Sequence, residues 1–302
     1  MSNLWGIDLG GTKIEGAILD PAHPEKAVHR LRVPTESARG YDHVVNQIAT
    51  VIEQLEFLSG EKRPPCIGIG TPGATEPGTG ELKNSNTTCL NGRPLRDDLT
   101  ARLASEVRFA NDANCFALAE ATLGAARGYD VVVGLILGTG VGGGVVVRGR
   151  LLEGLHGIAG EWGHNPLCGE LTPCYCGRLG CVETVLAGPS LERYHREQTG
   201  KAVRLPDIVA RAATGDPASA TTLRRLQEKF GEAIAAVINM LDPQAIVIGG
   251  GVGNIDILYT ADTRDAVLRH TFNSEVRTAF LKPTLGDSAG VFGAAMLCVP
   301  AP

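Results

Sequence analysis

Between residues 41 and 58 the apolar side chains Val44, Val45, Ile48, Val51, Ile52, Leu55 and Leu58 recur at helical spacing, which predicts one amphipathic helix with a single buried stripe. Ahead of it, residues 4–9, 13–19 and 26–33 are short and β-prone, separated by a Gly-Gly-Thr turn and a Pro-containing turn. They predict three antiparallel strands. Residues 66–70 and 107–110 predict two further strands, the first ending in Thr-Pro-Gly and the second in Asn-Asp, where a helix over 113–126 begins. The second half repeats the plan. Strands are predicted at 131–137 and 144–148, a Cys/Gly-rich loop over 154–181, helices over 183–197 and 219–240, a strand at 245–248 and a closing helix over 289–298. Strands that feed helices indicate an α/β fold. Gly6, Leu9, Gly10 and Gly16 are matched at one fixed offset by Gly134, Leu137, Gly138 and Gly144, which suggests a duplicated strand–turn–strand unit, although two ordinary hairpins give the same pattern.

Length and composition narrow the class. A chain of 302 residues suits two α/β domains. Hydrophobic residues at 43% and charged residues at 20% exclude disorder. A net charge of −5 without a long Lys/Arg run argues against nucleic acid as a partner. The start MSNLWGIDLGG lacks a basic leader, and residues 131–147 are too short and too glycine-broken for a membrane span, so a cytoplasmic location is expected. Eight cysteines in such a chain are expected to be free thiols or metal ligands rather than disulfides. Glycine is in excess, at 39 residues against a usual share of ~7%, and it is concentrated in short runs, as where a backbone must approach a ligand closely.

Three of these runs carry candidate chemistry. Asp8 followed by Gly10, Gly11, Thr12 and Lys13 places a carboxylate at a strand end and exposed N–H groups in a turn. That arrangement suits phosphate oxygens and a hydrated Mg²⁺, though a plain hairpin is equally compatible with it. It is not a Walker A loop, which needs a helix after the lysine. The turn Gly138, Thr139, Gly140, Gly142 is a stronger candidate for a second phosphate loop, and Gly249, Gly250, Gly251 lie at a strand's carboxyl end, where open α/β sheets bind ligands. Asp112 follows a strand beside Asn111. It is either a helix cap or a general base, with an ordinary pKa near ~3.9. His164, Cys174, Cys176 and Cys181 form H-x9-C-x-C-x4-C, a closed Cys₃His zinc pattern, with Cys168 as a possible competitor.

The motifs DLGGTK, GTPG, NDANC, GTGVGGG, GEWGH and CYCGRLGCVE, in this order over nearly the whole chain, resemble the ROK family of sugar kinases, within the actin/hexokinase/Hsp70-like (ribonuclease H-like) ATPase fold. The stretches KNSNTTCLNG, AGEWGHNPL and PCYCGRLGCVET resemble the bacterial fructokinase group most, with N-acetylglucosamine kinase and glucokinase as near relatives. The loop from Pro166 to Pro173 looks shorter than in fructokinases.

The resemblance implies a kinase using ATP and Mg²⁺, with DLGGTK and GTGVGGG as phosphate loops, the Gly249–Gly251 run under the adenosine, and the sugar lying between two domains. It implies Asp112 as base toward the 6-hydroxyl of fructose, and Gly73, Asn86, Asn111, Glu161, His164 and Glu183 around the sugar. It also implies structural Zn²⁺ on His164, Cys174, Cys176 and Cys181, with His164 serving metal and sugar through different ring nitrogens. Domains over 1–118 and 119–287, a returning helix over 288–302, and a homodimer are expected. A non-catalytic sugar-sensing regulator is the rival from another class. Such a regulator would carry a helix-turn-helix module ahead of this region, which is not expected with Asp8 so near the start. A chaperone or filament ATPase on the same fold is disfavoured by the zinc pattern.

Overall fold

The computed structural model describes residues 2–300. The strands are β1 (Leu4–Leu9), β2 (Lys13–Leu19), β3 (Ala27–Pro34), β4 (Cys66–Thr71), β5 (Ala74–Thr75), β6 (Leu82–Lys83), β7 (Glu106–Asn111), β8 (Val131–Leu137), β9 (Val141–Val147), β10 (Arg150–Leu151), β11 (Ala245–Gly249) and β12 (Ala279–Leu281). The helices are α1 (Tyr41–Ser59), α2 (Leu95–Leu103), α3 (Asp112–Thr122), α4 (Glu183–Leu186), α5 (Gly188–Thr199), α6 (Leu205–Ala213), α7 (Pro217–Leu241), α8 (Gly250–Gly253), α9 (Ala261–Leu268) and α10 (Ala289–Met296). They form two compact units: Met1–Gly128, Gly144–Ala159 and Thr284–Pro302 in the first, Tyr129–Gly143 and Gly160–Pro283 in the second.

Two five-stranded sheets share one plan, with strand orders β3-β2-β1-β4-β7 and β10-β9-β8-β11-β12. In the first, β1 pairs antiparallel with β2 and parallel with β4, and β4 pairs parallel with β7. In the second, β8, β11 and β12 are parallel. The turns after β1 and β8 are therefore equivalent in the two sheets, as the repeated glycines suggested. α1 buries Val44, Ile48, Val51, Ile52 and Leu55 within the core of the first unit, which accounts for its periodic stripe.

Several boundaries differ from the sequence expectation. β9 starts at Val141 rather than 144, because Gly143 and Gly144 are strand residues whose missing side chains admit close neighbours. A Cβ on Gly143 would stand 2.6 Å from the Gly160 carbonyl oxygen. The helix expected over 183–197 is two, since Ala187 is extended and Pro189 takes the first turn of α5, where its missing N–H costs no hydrogen bond. α2 was not anticipated. Its buried Leu95, Leu99 and Leu103 sit among charged residues and give a weak stripe.

α10 lies directly on the sheet of the first unit. A Cβ on Gly68 would stand 1.7 Å from the Ala294 carbonyl oxygen, and one on Gly293 1.8 Å from that of Cys115, so the helix approaches both sheet and α3 at backbone distance. Cys66, two residues before Gly68 on the same strand face, forms a disulfide with Cys298, just past the end of α10. This corrects the expectation of free thiols or metal ligands for these two cysteines, which the fold brings together across 232 residues of chain.

Glu120 is completely buried on α3, and its carboxylate accepts hydrogen bonds from the backbone N–H groups of Ala125 (2.8 Å), Thr284 (3.1 Å) and Leu285 (3.0 Å). It thus pins the segment that leads into α10. Glu120→Ala is expected to lower stability by roughly 2–4 kcal/mol, because two or three N–H groups lose a charged acceptor in a poorly hydrated place. Urea denaturation measures this, and a loss below 1 kcal/mol would remove Glu120 from the role.

Candidate active site

In the first unit, three parallel strands end side by side. The register Asp8↔Gly70 and Gly70↔Ala110 places Asp8, the end of β4 and the Asn111–Asp112 pair along one carboxyl edge. Asn111 is the N-cap of α3, its Oδ1 accepting from the Asn114 N–H at 2.7 Å. Asp112 is the first helical residue, with Oδ1 accepting from its neighbour Ala113 at 2.8 Å. The cap is therefore Asn111, which leaves Asp112 available for chemistry.

Burial, then the charges of Asp112 and Glu15, push the Asp8 carboxyl up to about 6, against the lowering effect of Lys13 and Arg32. Burial also raises Asp112, so its pKa is not the ordinary value expected from sequence. Two buried carboxylates at one sheet edge, the charge of Asp112 acting on Asp8, are suited to a cation and a proton.

The turn after β1 is held by Gly10 N–H to the Lys13 carbonyl (2.9 Å) and by the Thr35 hydroxyl to the Gly10 carbonyl (2.6 Å), while Gly11, Thr12 and Lys13 stay exposed. Two residues beside this turn carried no signal in the sequence. Glu15 is buried opposite Asp8, paired with Arg30 and, at 2.6 Å, with Arg32. Thr87 is buried with its hydroxyl unpartnered, 3.5 Å from where a Gly11 Cβ would stand. Asn86, next to it, is exposed. Gly73 has φ +91°, and a Cβ there would stand 2.5 Å from the Lys83 carbonyl oxygen, which is a sufficient structural reason for glycine at this position. Asn111 also borders a cavity of about 750 Å³ with Thr71, Arg96, Arg108 and Glu153.

In the second unit, Gly138, Thr139 and Gly251 line a cavity of about 1010 Å³ whose walls are mainly apolar, with Leu205, Val209 and Ile257 among them. Size and lining suit a nucleoside. Gly140, Gly142, Gly249 and Gly250 lie outside this lining: Gly142 is inside β9, Gly249 ends β11, and Gly250 (φ +81°) packs on the Leu137 backbone. Glu183, at the start of α4, accepts the Val141 N–H at 2.9 Å through Oε2 and packs against Gly140, so one carboxylate is fastened to the second glycine turn.

The cysteine loop is folded by bridges Pro166↔Cys181 and Pro173↔Leu179 and by a turn in which Cys174 N–H donates to the Arg178 carbonyl (2.8 Å). Among the described residues it gathers His164, Cys174, Cys176 and Cys181 with their ligand atoms all within 4.8 Å of one another. His164 Nδ1 is 3.6 Å from Cys174 Sγ, and the Cys176 and Cys181 sulfurs are 3.5 Å apart. Sulfur–sulfur and nitrogen–sulfur separations of this size are those of a tetrahedron with bonds of ~2.0–2.3 Å. Burial pushes Cys174 up, and burial and the neighbouring thiols push Cys181 up to about 12, while backbone hydrogen bonding lowers Cys176. A divalent cation held here would turn this crowding of thiols into thiolate bonds. Cys168 stands apart, exposed, with its N–H on Glu232 Oε1 at 3.1 Å. His164 Nε2 faces the other way, 3.0 Å from the Tyr175 hydroxyl and 3.9 Å from Glu161 Oε2.

Comparison with known proteins places this geometry in context. A family model described as the ROK family matches residues 4–300. N-acetyl-D-glucosamine kinases of Pasteurella multocida and Histophilus somni are 36% and 35% identical, covering 97% of this chain and 98% of each relative. Among solved structures, a ROK hexokinase from Thermus thermophilus superposes with TM-score 0.87 at 33% identity, covering 97% of each chain. A ROK family glucokinase from Streptomyces griseus, solved with glucose and AMPPNP, has TM-score 0.77 at 28% identity, covering 98% of this chain and 99% of that one. The architecture is the actin/hexokinase-like ATPase fold. With its motifs, its paired sheets and these matches along its whole described length, the chain belongs to the ROK family.

Proposed function

We propose that this protein is an ATP- and Mg²⁺-dependent sugar kinase that phosphorylates a primary hydroxyl of a hexose, with N-acetylglucosamine ahead of fructose as the preferred substrate. The observation that carries the reading is that Asp8 and Asp112 stand at one carboxyl edge of the first sheet, on either side of β4, beside an exposed glycine turn, with the Asp112 charge helping to raise Asp8. The curated relatives named above favour N-acetylglucosamine over the fructose suggested by the loop motifs.

Asp112 takes the proton from the sugar hydroxyl as it attacks the γ-phosphate, a contribution of about 10²–10⁴ in rate. Burial raises its basicity, which suits that task at neutral pH. Asp8 would hold Mg²⁺ through its hydration shell, and the cation supplies charge neutralisation on the phosphates. N–H groups of Gly10–Thr12 and Gly138–Gly140, with Thr12 and Thr139, hold the phosphate tail, and the cavity under Gly251 takes the nucleoside. Asn86, Asn111, Glu161, His164 and Glu183 hold the sugar. Gly73 contributes the turn that shapes the loop. His164, Cys174, Cys176 and Cys181 would hold Zn²⁺ as four protein ligands, and the metal would serve to fix the loop that carries Glu161, His164 and Glu183. A homodimer and a cytoplasmic location accompany this reading. No helix among the described residues is long and apolar enough to cross a membrane, and light scattering should give twice the chain mass of 31.7 kDa.

Measuring ADP release with N-acetylglucosamine, glucose, mannose and fructose tests the proposal, with the highest kcat/KM expected for N-acetylglucosamine. No release with any sugar would favour a sensor instead. That second reading draws on a solved ROK family transcriptional regulator, 25% identical with TM-score 0.83, of which this chain covers 77%.

The pH profile follows from the carboxylates. Both must be ionised to work, and both are raised in the fold, so kcat/KM should fall as pH drops through about 6. At pH 5 it should be about tenfold below its plateau. An acid limb centred below 4.5 would contradict the assignment.

A further inference from the structure

We propose that Tyr175 is an affinity-setting residue of the sugar site, its hydroxyl holding the position on His164 Nε2 that a sugar hydroxyl must take over. The inference rests on the proposed role of Glu161, His164 and Glu183 as the sugar-binding groups.

The two nitrogens of His164 face different neighbours. Nδ1 is turned to the sulfur cluster, 3.6 Å from Cys174, and Nε2 is 3.0 Å from the Tyr175 hydroxyl. The rings meet edge to face, with centroids 5.2 Å apart and planes at 88°. An imidazole that coordinates through Nδ1 carries its proton on Nε2, so Nε2–H donates and the phenol oxygen accepts. The phenol O–H is then left to donate, and the Glu161 carboxylate is on that side of the ring, its Oε2 3.9 Å from the same His164 Nε2. A hydroxyl that accepts from this imidazole while it can donate to a carboxylate does what a bound sugar hydroxyl would do. Tyr175 is therefore an internal stand-in for substrate.

The loop is built so that this stand-in can leave. Cys174 and Cys176 flank Tyr175 and belong to the fourfold cluster, and the backbone turns on Cys174 N–H to the Arg178 carbonyl and Gly177 N–H to the Cys174 carbonyl (2.8 and 3.0 Å). The tyrosine side chain, by contrast, is 79% exposed. It can swing into solvent by side-chain rotation alone, with the backbone unmoved. A ligand must then replace the bond it displaces. A polyol that meets both His164 and Glu161 does so, whereas water or a single alcohol gains nothing over the tyrosine.

The test is calorimetric titration of N-acetylglucosamine and glucose, without nucleotide, into the zinc-loaded full chain and its Tyr175→Phe and Tyr175→Ala variants, with zinc measured in each. Removing the competing hydroxyl should tighten sugar binding about three- to tenfold, the net worth of one neutral hydrogen bond, at unchanged zinc content. kcat/KM should rise by the same factor. Weaker binding in Tyr175→Phe would mean that the hydroxyl bonds the bound sugar, and equal binding that it is a bystander. Either result overturns the proposal. Glu161→Gln, run alongside, must weaken binding whatever Tyr175 does. If it does not, the sugar-site reading itself fails, and this inference with it.

Discussion

Replacing Asp112 by Asn should lower kcat by about 10²–10⁴-fold while leaving the dissociation constant for sugar within about threefold of the parent protein. The substitution keeps the shape of the side chain and an oxygen that can accept the Ala113 N–H, so α3 and its Asn111 cap should be undisturbed. What it removes is a basic oxygen. An amide cannot accept the alcohol's proton at neutral pH, and the Asn variant also loses a negative charge that raises Asp8. Asp8 should therefore titrate lower in the variant, and the acid limb of the residual activity should move down with it. Steady-state kinetics together with calorimetry separate the two effects. Turnover within tenfold of the parent would remove Asp112 from proton transfer.

The second large effect is expected at the metal loop. Cys181→Ser should reduce zinc from one equivalent to below about 0.2 per chain after dialysis and cut kcat/KM by at least about 10²-fold. Cys181 is buried, pairs in a bridge with Pro166, and lies two residues before Glu183, whose carboxylate is fastened to the second glycine turn. If these residues hold zinc as proposed, loss of the thiolate would release both the metal and the anchor that sets Glu183 and His164. Cys168→Ser is the matching control: it is exposed, stands outside the cluster, and should keep its zinc. Elemental analysis decides both variants. Full metal occupancy in Cys181→Ser would assign the ligand set elsewhere.

How much of this was legible beforehand depends on the range of the interaction concerned. α1 was visible because its stripe repeats within one helix, and β1, β2 and the turn between them because a strand, two glycines and a strand need only local chemistry. The ligand spacing of His164, Cys174, Cys176 and Cys181 is legible for the same reason, all four falling within a short loop that must close on itself. Helices whose stripe is thin, such as α2, escaped, and a glycine run in β9 passed for a turn because glycine signals close approach without saying by what. The pKa of Asp112 could not be anticipated at all, since desolvation is a property of surroundings assembled from distant chain.

The amino-acid order alone pointed to the α/β class, to a doubled strand–turn–strand plan that two ordinary hairpins would also explain, and to the clustering of three thiols with one imidazole, and its ordered motifs resembled the ROK family. The class, the plan and the cluster rest on periodicity, turn chemistry or spacing within a few tens of residues, and the family on a resemblance of ordered motifs along nearly the whole chain. Folding decided the rest: that Asp8 and Asp112 share one carboxyl edge, that Cys66 reaches Cys298, that Glu120 clamps the segment entering α10, and that Tyr175 caps His164. Most of these pairs are far apart along the chain, and even the Tyr175–His164 contact depends on how its loop closes. They form because strands join in a particular order and a helix can lie at backbone distance on glycines. Which groups become neighbours is therefore fixed by packing.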